Sequence, residues 1–210
     1  MGRILCLMLG YAFGLFQTGY IYGELHHIDI RQYGSGNSGA TNTLRVLGKK
    51  AGLIVFLGDF LKTVIACGIA RYVFRNDPST DMFVLYAGFG VVLGHNFPFY
   101  LHFKGGKGIA SMAGILVSMD WRVTIVCAVL FLGAVIITRY VSLGSILVVI
   151  GFFLQMVYYE RMGDYRVAPD ETLEFYGIAA ALMLMAIWRH RANIKRLLSG
   201  TENKIGSRKK

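Results

Sequence analysis

Long runs of apolar residues, separated by short polar loops, occupy most of this chain. A helix needs about 20 apolar residues to cross a membrane, with about 17 as the lower limit. The pattern predicts seven crossing helices, at Ile4–Tyr22, Ala51–Phe74, Met82–Pro98, Gly108–Met119, Trp121–Ile137, Val141–Tyr159 and Leu173–Trp188. Gly108–Met119 is short for a crossing helix, and a re-entrant helix is the alternative for that segment. We therefore expect an all-α polytopic integral membrane protein.

Composition strengthens this expectation. The hydrophobic fraction of 55% and the mean hydropathy of +0.51 exceed those of an ordinary soluble domain. The length of 210 residues allows one domain. All 3 cysteines lie in apolar segments, and their odd number argues against a disulfide framework and against a zinc site. No small-residue cleavage site follows the first apolar run, so we expect a retained helix rather than a signal peptide.

The positive charges set the expected orientation. If the first loop is cytoplasmic and all seven helices cross, most of the 22 lysines and arginines fall in the loops on that side and in the basic tail. The positive-inside rule then places the N-terminus outside and the C-terminus in the cytoplasm. The net charge is +10, and the lysines and arginines lie between the apolar runs rather than along one polar face. This argues against nucleic-acid binding and favours anionic lipids or anionic substrates.

Three polar clusters fall on the predicted cytoplasmic side, and the first is Gly34–Asn42, followed by Arg45. Gly34, Gly36 and Gly39 match G-x-G-x-x-G, but no strand precedes them, which argues against a Rossmann nucleotide site. Two interpretations remain. The segment is either a turn-rich loop or a nest of donors for phosphate oxygens, in which Arg45 binds bidentately.

The second cluster, Gly94–Ser111, contains the run Lys104-Gly105-Gly106-Lys107-Gly108. Glycines let a backbone approach a ligand closely, and flanking lysines attract phosphate. The Walker pattern is not matched. The alternative is a basic loop that only fixes membrane topology. His95, in the preceding predicted helix, is either a donor that faces a ligand or a histidine satisfied in the core.

The third cluster combines the start of the sixth predicted helix with the tail. Ser142 is either a ligand-binding hydroxyl or a helix cap. His190 and Asn193 are three residues apart, hence on one helical face, and Glu202 follows them. A basic amphipathic tail would explain the neighbouring cations, but it would not explain His190 and Asn193.

Asp59 and Lys62 lie on one face of the second predicted helix. Charges at membrane depth are usually either paired or functional. We interpret this pair as an ion pair that fixes helix packing, with a functional role as the alternative.

Together, the three clusters predict a cytosol-facing pocket for one or more phosphates. Two rival classes are an anion transporter and a metal-dependent lipid enzyme. The transporter would need polar lining in both membrane halves, where the outer loops offer only a sparse, mixed set of charges. The metal-dependent enzyme would need more carboxylates than the inner loops contain.

The motifs GSGNSGATNTLR, GHNFPFYLHFKGGKGIAS and HRANIKRLLSGTE resemble those of the bacterial acyl-phosphate:glycerol-3-phosphate acyltransferases, the PlsY family. The resemblance runs nearly end to end, and Ser111 stands where many relatives have threonine. It implies a single transmembrane acyltransferase domain over residues 1–210, in the bacterial inner membrane with a cytosolic active site. The implied reaction moves an acyl group from acyl phosphate to the 1-hydroxyl of sn-glycerol 3-phosphate, giving lysophosphatidic acid and phosphate.

The resemblance also implies partners and roles. It implies no cofactor, no metal and no nucleic acid, with membrane lipid and the soluble enzyme that makes acyl phosphate as partners. We expect catalysis from Ser142, His190, Asn193 and Lys104, and substrate binding from Ser35, Gly36, Asn37, Arg45, His95, Gly105, Gly106, Lys107 and Glu202. The general base is either His190 or the leaving phosphate itself.

Overall fold

The computed structural model describes residues 1–206, and within them every regular element is a helix. Three single turns of 3₁₀ helix, at Ile30–Gln32, Phe99–Leu101 and Pro169–Glu171, connect longer elements. The α-helices are α1 Gly2–Gly14, α2 Thr18–Glu24, α3 Ala40–Leu47, α4 Lys49–Val73, α5 Thr80–Asn96, α6 Ile109–Met119, α7 Trp121–Thr138, α8 Val141–Arg161, α9 Thr172–Arg189 and α10 Arg191–Leu198. The expected all-α class is confirmed for the described part of the chain.

Six segments are long and apolar enough to cross a membrane. They are Gly2–Glu24, Lys49–Val73, Thr80–Leu101, Trp121–Thr138, Val141–Arg161 and Pro169–Arg189. The remaining predicted segment forms α6, whose 11 residues rise about 16 Å at about 1.5 Å per residue. That is about half the ~30 Å of a hydrocarbon core. Six expected spans therefore have the required length, while the crossing of α6 stays a prediction.

Close backbone contact joins α1 to α5. A Cβ atom added at Gly10 would lie 2.0 Å from the carbonyl oxygen of Ala87, and one added at Gly94 would lie 2.3 Å from that of Tyr11. Small residues permit such approach between helices in a membrane, where dispersion contacts rather than hydrophobicity drive association. The pairing fixes α5, which carries His95 near its C-terminal end.

The first span is broken between α1 and α2, and buried donors satisfy the carbonyls that the break leaves free. Gln17 Nε2 donates to the carbonyls of Gly14 at 3.1 Å and His95 at 3.0 Å. Lys62 Nζ donates to the carbonyl of Phe16 at 2.6 Å. Unpaired backbone groups are costly away from water, so these contacts stabilise the interruption of the helix within this apolar segment.

The main core lies around α5, α6, α8 and α9, and α6 is packed inside it rather than at its edge. Met112 and Ile115 of α6 are fully buried in this core, together with Phe152 of α8. On the opposite side, a Cβ added at Gly114 would lie 2.6 Å from Cβ of Thr63 in α4. This packing holds the N-terminal end of α6 where Ile109 and Ala110 line a polar cavity.

Candidate active site

A cavity of about 150 Å³ lies where the three polar clusters meet. Residues from the first loop and α3, from α4, α5 and α6, from α7 and α8, and from the tail line it. Of the sequence-predicted site residues, it brings together Ser35, Asn37, Arg45, His95, Lys107, Ser142, His190, Asn193 and Glu202. The convergence of segments far apart in the chain is thus present in the structure.

Asn42 organises the first loop. Its Oδ1 accepts from the backbone N–H of Ser35 at 2.7 Å, and its Nδ2 donates to the carbonyls of Ile30 at 3.2 Å and Tyr33 at 2.9 Å. Gly34 adopts φ +63°, where a side chain is strained. The loop is therefore folded around a buried amide, and Ser35 reaches the cavity from it. The interpretation as a turn-rich loop is confirmed, while phosphate binding by its polar groups stays a prediction.

The glycines of the second cluster fit the backbone against α5. The N–H of Gly105 donates to the carbonyl of Asn96 at 3.2 Å, and that of Gly106 donates to the carbonyl of His95 at 3.1 Å. Arg189 donates to both glycine carbonyls at 2.7 Å. These amide hydrogens are engaged within the protein, and neither glycine lines the cavity. The glycines allow the backbone of the loop to pack directly against α5. A Cβ atom added at Gly105 would lie 2.0 Å from the His95 carbonyl oxygen.

Lys104 and Lys107 occupy different surroundings. Lys104 is exposed and lies outside the cavity lining, as does the exposed Gly36 of the first loop. Lys107 lines the cavity, and its Nζ donates to Oδ1 of Asn193. Burial, followed by repulsion from Arg196, lowers the Lys107 pKa to about 8. The structure thus separates two lysines that the sequence presents as equivalent flanks of one loop.

His190 lies at the junction of α9 and α10 and is 4% exposed. Its Nδ1 is 2.7 Å from the carbonyl oxygen of Ala186. A carbonyl can only accept, so Nδ1 carries the hydrogen and Nε2 keeps its lone pair. Burial, and then the nearby charge of Lys107, lowers the His190 pKa to about 4. At neutral pH the imidazole is therefore an uncharged acceptor.

Glu202 forms its hydrogen bonds with residues of α10 in the tail. Its two carboxylate oxygens accept from Asn193 Nδ2 at 2.8 Å and from Arg196 Nε at 2.7 Å. The segment is fixed farther along, where the backbone N–H of Ile205 donates to the carbonyl of Arg139 at 2.9 Å. Glu202 and the following Asn203 thereby form part of the cavity wall.

Two cations of the cavity have no carboxylate within ion-pair distance in residues 1–206. Arg196 is paired with Glu202. Arg45 Nη1 donates only to Asn42 Oδ1, at 3.4 Å, and Lys107 contacts the amide of Asn193. Arg45 and Lys107 are therefore the charges that an anion in the cavity would meet.

Neutral donors complete the anion-binding surface. The Ser142 hydroxyl is buried and makes no hydrogen bond within the described residues. Gly108, at φ +79°, is the N-cap of α6, and it lines the cavity together with Ile109 and Ala110 of the first turn. The free N–H groups and the dipole at a helix N-terminus favour negative charge.

The Asp59–Lys62 ion pair is confirmed, with Nζ and Oδ1 2.8 Å apart. It belongs to a larger buried group, because Thr18 Oγ1 also donates to Asp59 Oδ1 at 3.0 Å and Lys62 Nζ lies 3.0 Å from His95 Nδ1. Asp59 itself reaches the cavity. This group links the packing of the first two spans to the site.

Several lining residues were not expected from the sequence. Arg196 is three residues beyond Asn193, and helical spacing alone could have placed it on the same face of α10. The apolar lining residues are Phe56, Ile109, Phe131 and Val141, together with Ala40 and Ala110. No sequence motif identifies these apolar positions. They have the same residue types as the other apolar positions of the helices, and only the folded structure shows that they line the cavity.

Comparison with known proteins gives consistent matches over almost the whole chain. A family model described as glycerol-3-phosphate acyltransferase matches residues 4–200. The glycerol-3-phosphate acyltransferase of Alkaliphilus metalliredigens is 43% identical over 212 residues, covering 98% of this chain and 97% of the relative. That of Halalkalibacterium halodurans is 41% identical over 206 residues, covering 97% and 96%. The crystal structure of PlsY, an integral membrane glycerol 3-phosphate acyltransferase, in the glycerol 3-phosphate form, has a TM-score of 0.83 at 34% identity, covering 98% and 96%.

Proposed function

The chain belongs to the glycerol-3-phosphate acyltransferase family, and we propose that its acyl donor is an acyl phosphate. The acceptor is the 1-hydroxyl of sn-glycerol 3-phosphate, and the products are lysophosphatidic acid and inorganic phosphate. The observation that carries the proposal is the pair of cations without carboxylate partners, Arg45 and Lys107, in a small cavity that also has apolar walls. Both substrates are phosphate anions, and one of them also carries an acyl chain.

The size of the cavity supports acyl phosphate over acyl-CoA. A volume of about 150 Å³ is below the range of about 300–1,000 Å³ typical of sites for drug-sized ligands. It suits small phosphate head groups, whereas the nucleotide part of acyl-CoA would have to remain outside. The apolar side chains of Phe56, Phe131 and Val141 offer the first carbons of the acyl chain a non-polar surface.

The geometry supports a direct transfer between the bound substrates. The hydroxyl oxygen of glycerol 3-phosphate attacks the acyl carbon, a C–O ester bond forms, and the C–O bond to phosphate breaks. Negative charge develops on the carbonyl oxygen and on the departing phosphate. Fixed donors such as Ser142 Oγ and the α6 N-terminus stabilise that charge without reorganising. Holding both substrates in one cavity removes much of the entropic cost of the encounter.

His190 orients the attacking hydroxyl through the lone pair on Nε2. With a pKa of about 4, it binds a proton weakly at neutral pH. A catalytic base works best when its pKa is near the operating pH. We therefore assign the hydroxyl proton to the leaving phosphate, which is more basic, so that the proton ends on the phosphate product.

The remaining sequence-based roles are kept as proposals. Lys104 was expected to act in catalysis; because it is exposed and outside the cavity lining, we propose only that it attracts anions toward the cavity. Gly36, Gly105 and Gly106 allow the loops to approach substrate closely. The site faces the cytosol of a bacterial inner membrane, with the N-terminus outside, so that membrane lipid receives the product and a soluble enzyme supplies acyl phosphate.

The test is phosphate release by the purified full-length protein in detergent. Palmitoyl phosphate is offered with and without sn-glycerol 3-phosphate, and palmitoyl-CoA replaces it in a parallel series. We expect acceptor-dependent phosphate release and formation of lysophosphatidic acid from palmitoyl phosphate only, unaffected by EDTA. Transfer from palmitoyl-CoA at a comparable kcat/KM would overturn the assignment of the donor. An Arg45→Met variant serves as the control for activity contributed by contaminating acyltransferases.

A further inference from the structure

The ring of His95 lies directly under the loop that carries Lys107. His95 is 3% exposed, and a Cβ atom added at Gly106 would lie 2.0 Å from its Nε2. His95 lines the cavity. Within residues 1–206, its Nε2 makes no hydrogen bond, although the other ring nitrogen is engaged. Nε2 is therefore the ring nitrogen that His95 has available for a ligand in the cavity that it lines.

The partner of Nδ1 determines what Nε2 can offer. Nδ1 lies 3.0 Å from Lys62 Nζ. This ammonium group donates to the Phe16 carbonyl at 2.6 Å and to Asp59 Oδ1 at 2.8 Å. Two acceptors compete for its third hydrogen, and His95 Nδ1 at 3.0 Å is closer than the Gly14 carbonyl at 3.4 Å. An ammonium has three donors and no acceptor, so Nδ1 must accept. Asp59 Oδ1 is 3.6 Å from Nδ1, beyond hydrogen-bond distance.

From this geometry we infer that Lys62 is a positioning residue that holds His95 as the tautomer with hydrogen on Nε2. His95 then donates a hydrogen bond to a phosphate oxygen in the cavity. The inference rests on the proposed function, because it requires an anionic substrate. It gives the buried ion pair a role in the reaction in addition to helix packing. It also explains how a neutral histidine faces an anion with a donor rather than with a lone pair.

Removing the ammonium should reverse the tautomer. Without Lys62, the nearest charged group to Nδ1 is the carboxylate of Asp59, which favours a hydrogen on Nδ1. Nε2 would then present a lone pair to the phosphate, which is repulsive. The other charged groups near the ring are Arg189, which holds the Gly105–Gly106 carbonyls, and Lys107 across the cavity. Neither contacts Nδ1, so neither replaces Lys62.

The first experiment compares the pH dependence of kcat/KM for palmitoyl phosphate in wild type and Lys62→Met. We expect the variant to lose about 10- to 100-fold at about pH 8, the equivalent of one hydrogen bond to a charged group. Lowering the pH from about 8 to about 6 should raise kcat/KM by a larger factor in the variant, because protonated His95 carries hydrogen on both nitrogens. The wild type should gain only from protonation of Lys107, which both proteins share. A loss that is the same at both pH values would overturn the inference.

Thr18→Val provides the matched control. It removes the other side-chain donor to Asp59 Oδ1 and leaves the contact between Lys62 and His95 in place. We expect it to reproduce the wild-type pH dependence. An acid-recovered loss in Thr18→Val would show that disturbance of the buried group in general produces the effect, and it would contradict the specific role of Lys62.

The second experiment reads the tautomer directly and does not depend on activity. Nitrogen-15 NMR of histidine-labelled wild type, with the His95 signals assigned by their loss in His95→Gln, should show a protonated Nε2 and an unprotonated Nδ1. Hydrogen on Nδ1 would overturn the inference even if Lys62→Met failed to fold. If wild type did not use acyl phosphate, the proposed donor would fall, while this spectrum and its response to inorganic phosphate would still decide the role of Lys62.

Discussion

Replacing Lys107 by methionine should damage catalysis far more than the same replacement at Lys104. Lys107 lines the cavity, contacts Asn193 and has no carboxylate partner among the described residues. The carboxylate of Glu202, which acts on Lys107 from beyond ion-pair distance, is itself paired with Arg196. Two unit charges about 4 Å apart interact by about 4 kcal/mol at an effective dielectric constant of about 20.

The measurable loss is smaller than this attraction, because the lysine must also be desolvated. A hydrogen bond to a charged group contributes about 1.5–3 kcal/mol, and this corresponds to a loss of about 10- to 100-fold in kcat/KM. For the exposed Lys104, solvent and salt screen the charge, and we expect less than about fivefold. The matched substitutions keep the side-chain length nearly constant and remove one charge each.

The assay is the initial rate of phosphate release over a range of palmitoyl phosphate concentrations, at saturating sn-glycerol 3-phosphate and constant ionic strength. Thermal unfolding of both variants in detergent controls for folding. Equal losses in the two variants, or a larger loss in Lys104→Met, would refute the reasoning. In that case an inward-turned Lys104, rather than Lys107, would be the main anion ligand.

Four further outcomes are expected. The affinity for palmitoyl phosphate should weaken as the pH rises above about 8, because Lys107 is a cation below its pKa and loses its charge above it. The dependence of KM on pH measures this effect, which should be absent in Lys107→Met. His190→Gln should lower kcat without removing an acid limb between about pH 5 and 8, since the His190 pKa of about 4 lies below that window; a lost limb in its pH–rate profile would identify it as the base. Arg45→Lys should raise KM for sn-glycerol 3-phosphate about 10-fold through loss of bidentate contact, and an unchanged KM and kcat would contradict that role. Gly10→Ala should lower the free energy of unfolding by about 1–3 kcal/mol, because the added Cβ atom would meet the backbone of α5. Gly68→Ala is the control and should be tolerated, because no atom lies within 4 Å of the position of its Cβ. Thermal unfolding in detergent compares the two variants.

The helices could be predicted from the sequence because burial in a membrane leaves a strong and local signal. Apolar segments of sufficient length were located to within a few residues, as α4 and α7 illustrate. The break at residues 15–17 in the first span was not predicted. It depends on Lys62, which lies in the next long helix and whose Nζ meets the Phe16 carbonyl only in the folded protein.

The site was predictable at the level of motifs and less so at the level of individual atoms. Residue types that bind phosphate identified the loops, and the charge pattern placed them on one side. The direction in which each side chain of these loops points could not be predicted. An irregular loop lacks the regular spacing by which a helix or a strand places its side chains on one face or another. Lys104 and Lys107 flank the same two glycines, yet only Lys107 lines the cavity. Asn42 ends the segment that was interpreted as a possible nest of phosphate donors, whereas its amide forms hydrogen bonds that fold the loop.

The tail that carries Glu202 and Asn203 has a consequence for biosynthesis of the protein. These residues belong to the cavity wall, and Ile205 is fastened to Arg139 between α7 and α8. A nascent chain that stopped short of residue 202 would already contain the six segments that are long enough to cross a membrane. It would lack the part of the cavity wall that Glu202 and Asn203 form, and that side of the cavity would be open to water.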